Sequence, residues 1–221
     1  MILDTGSISL HYEVAGSGRP LLLLHGNGES LDIFRAAIPL LAEHFTVYAV
    51  DSRGHGGSTP VRELHYADMA ADMADFIRLL ALDRPIVYGF SDGGIVALLL
   101  SIGQPDLTGG IIASGVNVRP SGLKAHWLWL FRMMYFFNRS PLFRLMLTEP
   151  DITDEQLRSI RVPAALTAGS RDMLRQSHMR HIARCIPGCR YILLDGEGHG
   201  SYIAGSPKIA QVILDITESW T

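Results

Sequence analysis

Residues 7–14, Ser7-Ile8-Ser9-Leu10-His11-Tyr12-Glu13-Val14, alternate polar and apolar positions, the period of a strand with one wet face. After the turn Ala15-Gly16-Ser17-Gly18, Pro20-Leu21-Leu22-Leu23-Leu24 is unbroken apolar sequence, as a strand buried on both faces of a parallel sheet requires. Further short apolar runs predict strands at 45–50, 85–88, 110–113, 162–168 and 191–194. Helical spacing fills the gaps: residues 31–43, then Met69, Met73, Phe76, Ile77 and Leu80 on one face, then 95–100, 175–185 and 206–219. Strands alternating with helices through short loops predict an α/β fold, a mostly parallel central sheet with helices on both faces.

From Val116 to about Arg161 the alternation stops. Leu123, Trp127, Leu130, Met134 and Phe137 recur at intervals of four and three, a helical stripe. Ser140-Pro141 reads as the cap and first residue of a second helix, and Thr153-Asp154-Glu155-Gln156 as the capping box of a third. The chain therefore divides into a core, residues 1–115 and 162–221, and a short helical cap or lid, residues 116–161.

With 221 residues and 48% hydrophobic content the chain can bury a sizeable core as one globular unit. A net charge of −3 gives no overall attraction for nucleic acid. No basic stretch followed by an apolar one opens the chain, and the most apolar segment, Trp127 to Phe137, is short and holds Arg132. A cytoplasmic protein without a transmembrane segment is expected, with Cys185 and Cys189 as reduced structural thiols and a local disulfide as the alternative. Between Val116 and Thr148 lie five basic residues, Arg119, Lys124, Arg132, Arg139 and Arg144, and no acidic ones. Three readings stay open for this segment. It is a solvated basic face; or an acyl-binding lid in which Trp127, Leu130, Met134 and Phe137 shape an apolar pocket and the basic groups attract an anionic substrate; or a contact with a second subunit, giving a homodimer, or with a membrane surface.

Candidate chemistry gathers where strands end. Gly89-Phe90-Ser91-Asp92-Gly93-Gly94 lies between a strand and a helix, the context in which G-x-S-x-G forces a serine into a strained turn. Bulk two residues to either side would clash, hence Gly89 and Gly93. A hydroxyl attacks only when a base takes its proton, and a histidine oriented by a carboxylate does so at neutral pH. Asp172 and His199 follow Ser91 in the order expected for a serine on such an elbow.

Taken together, His25-Gly26-Asn27-Gly28, Asp51-x-Arg53-Gly54-x-Gly56-x-Ser58, Gly89-Phe90-Ser91-Asp92-Gly93-Gly94, Gly169-x-x-Asp172 and Gly198-His199 resemble the α/β-hydrolase fold superfamily over essentially the whole chain. The resemblance implies Ser91 as nucleophile, His199 as general base and Asp172 as its orienting acid, with the backbone N–H groups of Asn27 and Asp92 as the oxyanion hole. Relatives that displace halide or open epoxides carry aspartate where this chain has Ser91. His25 reads as a brace for the oxyanion loop, Arg53 and His55 as structural supports, and neither a metal nor a cofactor is implied. The expected activity is a serine hydrolase cleaving an ester or related acyl bond of a small-molecule acyl substrate. The alternatives are carbon–carbon hydrolysis or a lyase step on an acidic substrate, or a ligand-binding protein of this fold.

Overall fold

A computed structural model describes residues 1–220. Eight strands form one sheet: β1 (Ile2–Asp4), β2 (Ser9–Ala15), β3 (Arg19–Leu24), β4 (Phe45–Val50), β5 (Ile86–Phe90), β6 (Gly110–Ser114), β7 (Ala164–Gly169) and β8 (Arg190–Leu194). Their spatial order is β1-β2-β4-β3-β5-β6-β7-β8, parallel from β4 onward and antiparallel at the β1 and β2 edge. The first strand, three residues on an edge, was below the resolution of sequence periodicity. It is held chiefly by its ladder to β2, not by burial.

The leucine run of β3 shows why the sheet needs cover on both sides. Leu22 and Leu24 join a core with α2 (Tyr66–Leu79), α3 (Asp92–Gly103) and α7 (Gln176–Cys185). Leu21 and Leu23 face the other way, toward Phe34, Leu41 of α1 (Ile38–Leu41) and Ile209 and Ile213 of α8 (Lys208–Thr217). Each of these four fully buried leucines contributes about 2 kcal/mol relative to exposure.

The helix expected over 31–43 is broken into a 3-10 turn, Leu31–Phe34, and α1. Pro39 lacks the N–H that a continuous helix would bond to residue 35, so the run divides ahead of it.

Between β6 and β7 the chain forms α4 (Ala125–Asn138), α5 (Pro141–Thr148) and α6 (Asp154–Arg158). Ser140 caps α5 by accepting from the Leu142 N–H, and Thr153 and Gln156 complete a capping box on α6. On α4 the packed face is one position away from the expected stripe. Phe131 is buried and stacks on Phe143 at 5.9 Å and against half-buried Trp127 at 6.0 Å, while Leu130, Met134 and Phe137 are 39%, 40% and 77% exposed. Apolar residues occupy both faces of this helix, so spacing alone could not choose between them. Among the described residues no helix is long and apolar enough to cross a membrane.

Candidate active site

Strand β5 ends in Gly89-Phe90 and α3 begins at Asp92, leaving Ser91 to make the corner with φ 51° and ψ −114°. An L residue is held at such angles only by its surroundings. Here the Ser91 N–H donates to Ser114 O of β6 at 2.7 Å, and the Gly93 N–H donates to His25 O at 3.1 Å. A Cβ at Gly89 would lie 2.1 Å from Gly93 O, and one at Gly93 2.2 Å from Leu24 O, both immovable backbone. Gly89→Ala is therefore expected to destabilise the fold by about 3 kcal/mol. Urea unfolding measures it, and a midpoint equal to wild type would show that the elbow has slack.

The three residues expected to work together are brought together. The Ser91 hydroxyl lies 3.1 Å from His199 Nε2, and His199 Nδ1 lies 2.8 Å from Asp172 Oδ1. Asp172 is fully buried at the end of β7, and its Oδ1 also accepts from the Leu174 N–H at 3.1 Å. This network makes Nδ1 the protonated nitrogen and leaves Nε2 to accept the serine proton. The Phe90 ring packs on the imidazole at 4.9 Å and restricts its swing. Lys124 ties the acid's loop down by donating to Asp172 O at 2.5 Å.

Opposite the elbow runs the loop after β3. Among the described residues no acceptor engages the main-chain N–H of Asn27 or of Asp92. The two residues are joined through their side chains: Asn27 Nδ2 donates to Asp92 Oδ2 at 2.8 Å, and the Tyr66 hydroxyl donates to Asp92 Oδ1 at 2.8 Å. Burial pushes the Asp92 carboxyl up, opposed by these two donors. Nothing in the sequence marks Tyr66, since a tyrosine opening a helix carries no signal of what it reaches 26 residues later.

Three further groups brace the loop. His25 donates from Nδ1 to Gly26 O at 2.8 Å and accepts the Ser52 N–H at Nε2. His55 accepts the Gly28 N–H at Nε2, 3.1 Å, and donates to Arg53 O. Asp51 accepts from the Leu31 and Gly57 N–H groups at 2.7 and 2.8 Å. Arg53 pairs with Asp72 through two 2.6 Å bonds, outside the loop.

Burial lowers the His25 pKa to about 4. A group whose folded pKa lies below its unfolded value binds its proton more readily in the unfolded chain. Stability is thus complete above about pH 6.5 and falls as the pH drops toward 4, by up to about 3 kcal/mol from this residue. Urea midpoints between pH 7 and 4.5 test this. His25→Gln is expected to flatten the decline, and an unchanged slope would count against it.

The hydroxyl opens onto a cleft of about 410 Å³ whose walls are chiefly Phe90, Phe131, Leu142, Phe143, Met146 and Met173. This corrects the expected pocket. Leu130, Met134 and Phe137 point away to solvent, and Trp127 stands behind Phe131 instead of lining the cleft. None of the five basic residues of the segment lines it either. Glu29, unremarked in the sequence, does; its Oε2 accepts the Gly26 N–H at 3.0 Å. A larger recess of about 580 Å³, lined by Arg19, His44 and Glu218 among others, lies at the opposite ends of the strands, away from Ser91.

Both thiols are free, and burial pushes Cys189 up to about 12. Among the described residues Asp154, His181 and Cys185 place potential ligand atoms within 4.8 Å of one another, a grouping the sequence did not suggest. Asp154 there already bonds His181 at 2.9 Å and pairs with Arg158 at 3.6 Å.

An eight-stranded, mostly parallel sheet with a strained serine corner at the end of β5 defines the hydrolase class of α/β proteins. Residues 19–144 match the model of the alpha/beta hydrolase fold family, and the chain belongs to that family. A fluoroacetate dehalogenase of Burkholderia sp. is 31% identical over 146 residues, 59% of this chain and 47% of that one. A soluble epoxide hydrolase of Corynebacterium sp. (strain C12) is 42% identical over 99 residues, 44% of this chain and 35% of the relative. The chain spans less than half the length of these curated relatives. The enol-lactonase of Burkholderia xenovorans LB400 superposes with a TM-score of 0.81 at 18% identity, covering 99% of this chain and all of that one, a likeness of fold.

Proposed function

We propose that this chain hydrolyses an ester or related acyl bond of a small substrate through a serine acyl-enzyme. The observation that carries the reading is the hydrogen-bonded series Ser91–His199–Asp172 at the mouth of an apolar cleft. Ser91 attacks the carbonyl carbon as His199 Nε2 takes its proton, and Asp172 stabilises the imidazolium that forms. Negative charge on the former carbonyl oxygen is received by the N–H groups of Asn27 and Asp92 at the start of α3, where the helix dipole also favours it. His199 then protonates the leaving group. It next deprotonates a water that attacks the acyl carbon, returning the hydroxyl to Ser91. Water is the sole co-reactant.

Ser91 occupies the elbow position at which the family resemblance places aspartate for halide displacement and epoxide opening, which sets the proposed chemistry apart from the activities named for the dehalogenase and the epoxide hydrolase. The lactonase name is compatible with it, a lactone being a cyclic ester. An acidic substrate drawn by a basic lid is not favoured. Lys124 is engaged with Asp172, Arg144 pairs with Glu63, and Arg139 lies over the rings of Tyr135 and Phe136.

A fluorophosphonate probe and a series of p-nitrophenyl acyl esters test the reading. One covalent adduct on the Ser91 peptide, with matching loss of esterase activity, is expected. Absence of both labelling and turnover would favour a binding protein of the same fold.

A further inference from the structure

The charge inside the cleft is the reverse of what the segment above it suggests. Glu29 is the one charged side chain among the residues lining it, and three phenylalanines, Phe90, Phe131 and Phe143, share the wall. Glu29 Oε2 is fixed on the Gly26 N–H, while its second carboxylate oxygen has no partner among the described residues. A methyl group placed at Gly26 would lie 2.8 Å from Glu29 Oε2 and 3.1 Å from Ser91 Cβ, so carboxylate and serine flank the same point.

We propose that Glu29 and the phenylalanine wall form a subsite for a cationic nitrogen, making the substrate an ester or amide that carries an ammonium group near its scissile carbonyl. This rests on the acyl-transfer reading above. An aromatic wall and a carboxylate together suit an ammonium ion: the ring faces attract the cation and its methyl or methylene groups, and the carboxylate supplies the counter-charge. An anionic substrate would meet repulsion from Glu29, with buried Asp92 behind it. Burial pushes the Glu29 carboxyl up, against the Gly26 N–H that lowers it, so a bound cation would stabilise its ionised form. The fixed oxygen orients the carboxylate, so that binding the cation orders one side chain less.

Two isosteric pairs test the subsite. One pair, p-nitrophenyl 4-(trimethylammonio)butyrate and p-nitrophenyl 5,5-dimethylhexanoate, places the charge on the acyl side. The other, acetylthiocholine and S-(3,3-dimethylbutyl) thioacetate, places it on the leaving group. In at least one pair the cationic member is expected to show kcat/KM about 10-fold above its neutral twin, and Glu29→Gln is expected to bring that ratio close to one. Equal or inverted preference in both pairs, or a ratio unchanged by Glu29→Gln, overturns the proposal. If none of the four is turned over, the acyl-transfer reading fails and the subsite is judged alone by calorimetric titration with butyltrimethylammonium. Binding about 10-fold tighter to wild type than to Glu29→Gln then sustains a cation site, and equal or absent binding removes it.

Discussion

Replacing Ser91 with alanine is expected to lower kcat for a p-nitrophenyl ester by about 10⁴- to 10⁶-fold while leaving the fold intact. Every covalent step in the proposed reaction passes through this one oxygen, and His199 has no other hydroxyl partner among the described residues. A substitution that removes only Oγ keeps the backbone bonds of the corner, the Ser91 N–H to Ser114 O and the Gly94 N–H to Ser91 O. Stability should stay within about 1 kcal/mol of wild type, so a loss of rate cannot be assigned to unfolding. Binding of a slow substrate to the variant separates the two contributions further, because cleft and oxyanion donors survive. Residual activity of a few per cent or more after rigorous purification would remove Ser91 from the role of nucleophile.

The second large effect is expected at Asp172→Asn, with kcat falling by about 10⁴-fold. Asp172 Oδ1 receives hydrogen bonds from both His199 Nδ1 and the Leu174 N–H. An asparagine whose carbonyl takes the place of Oδ1 can still accept both bonds, but it brings no negative charge to stabilise the imidazolium. If the amide faces the imidazole it donates to Nδ1, forcing the proton onto Nε2, where it points at the serine instead of accepting from it. Asp92→Asn supplies the contrast, with an expected loss of about 10-fold. Its carboxylate receives Asn27 and Tyr66, and an amide oxygen can still receive one of them. Steady-state kinetics of the two variants side by side are decisive. Equal losses would mean that the Asp92 side chain does more than hold the loop.

The fold was largely legible because its signals are local and mutually consistent. The leucine run of β3 reads as a doubly buried strand, and Gly89 and Gly93, set between a strand and a helix, read as the glycines of a tight corner. Approach of Ser91, Asp172 and His199 followed from the parallel sheet, which carries strand ends to one edge. The cleft was not legible for the opposite reason. Helix α4 has apolar residues all round, and which side packs is decided by Phe143 on α5, a contact that periodicity does not encode. Nothing in the sequence marks Glu29, because a lone glutamate after a glycine turn looks like any surface charge. Its position depends on the Gly26 N–H and the cleft's apolar walls. Pro39 marks the division of residues 31–43 in the sequence, although the apolar spacing runs on across it.

The link from Tyr66 through Asp92 to Asn27 has a consequence for timing. Tyr66 opens α2, Asp92 opens α3, and Asn27 belongs to the loop after β3, so three separate parts of the chain share one pair of carboxylate oxygens. The two free N–H groups therefore move as a unit, and parting them requires breaking a bond to a fully buried acid. In the proposed reaction the alignment of these donors is thus settled when the chain folds, before any substrate arrives, instead of being assembled anew around each developing negative charge.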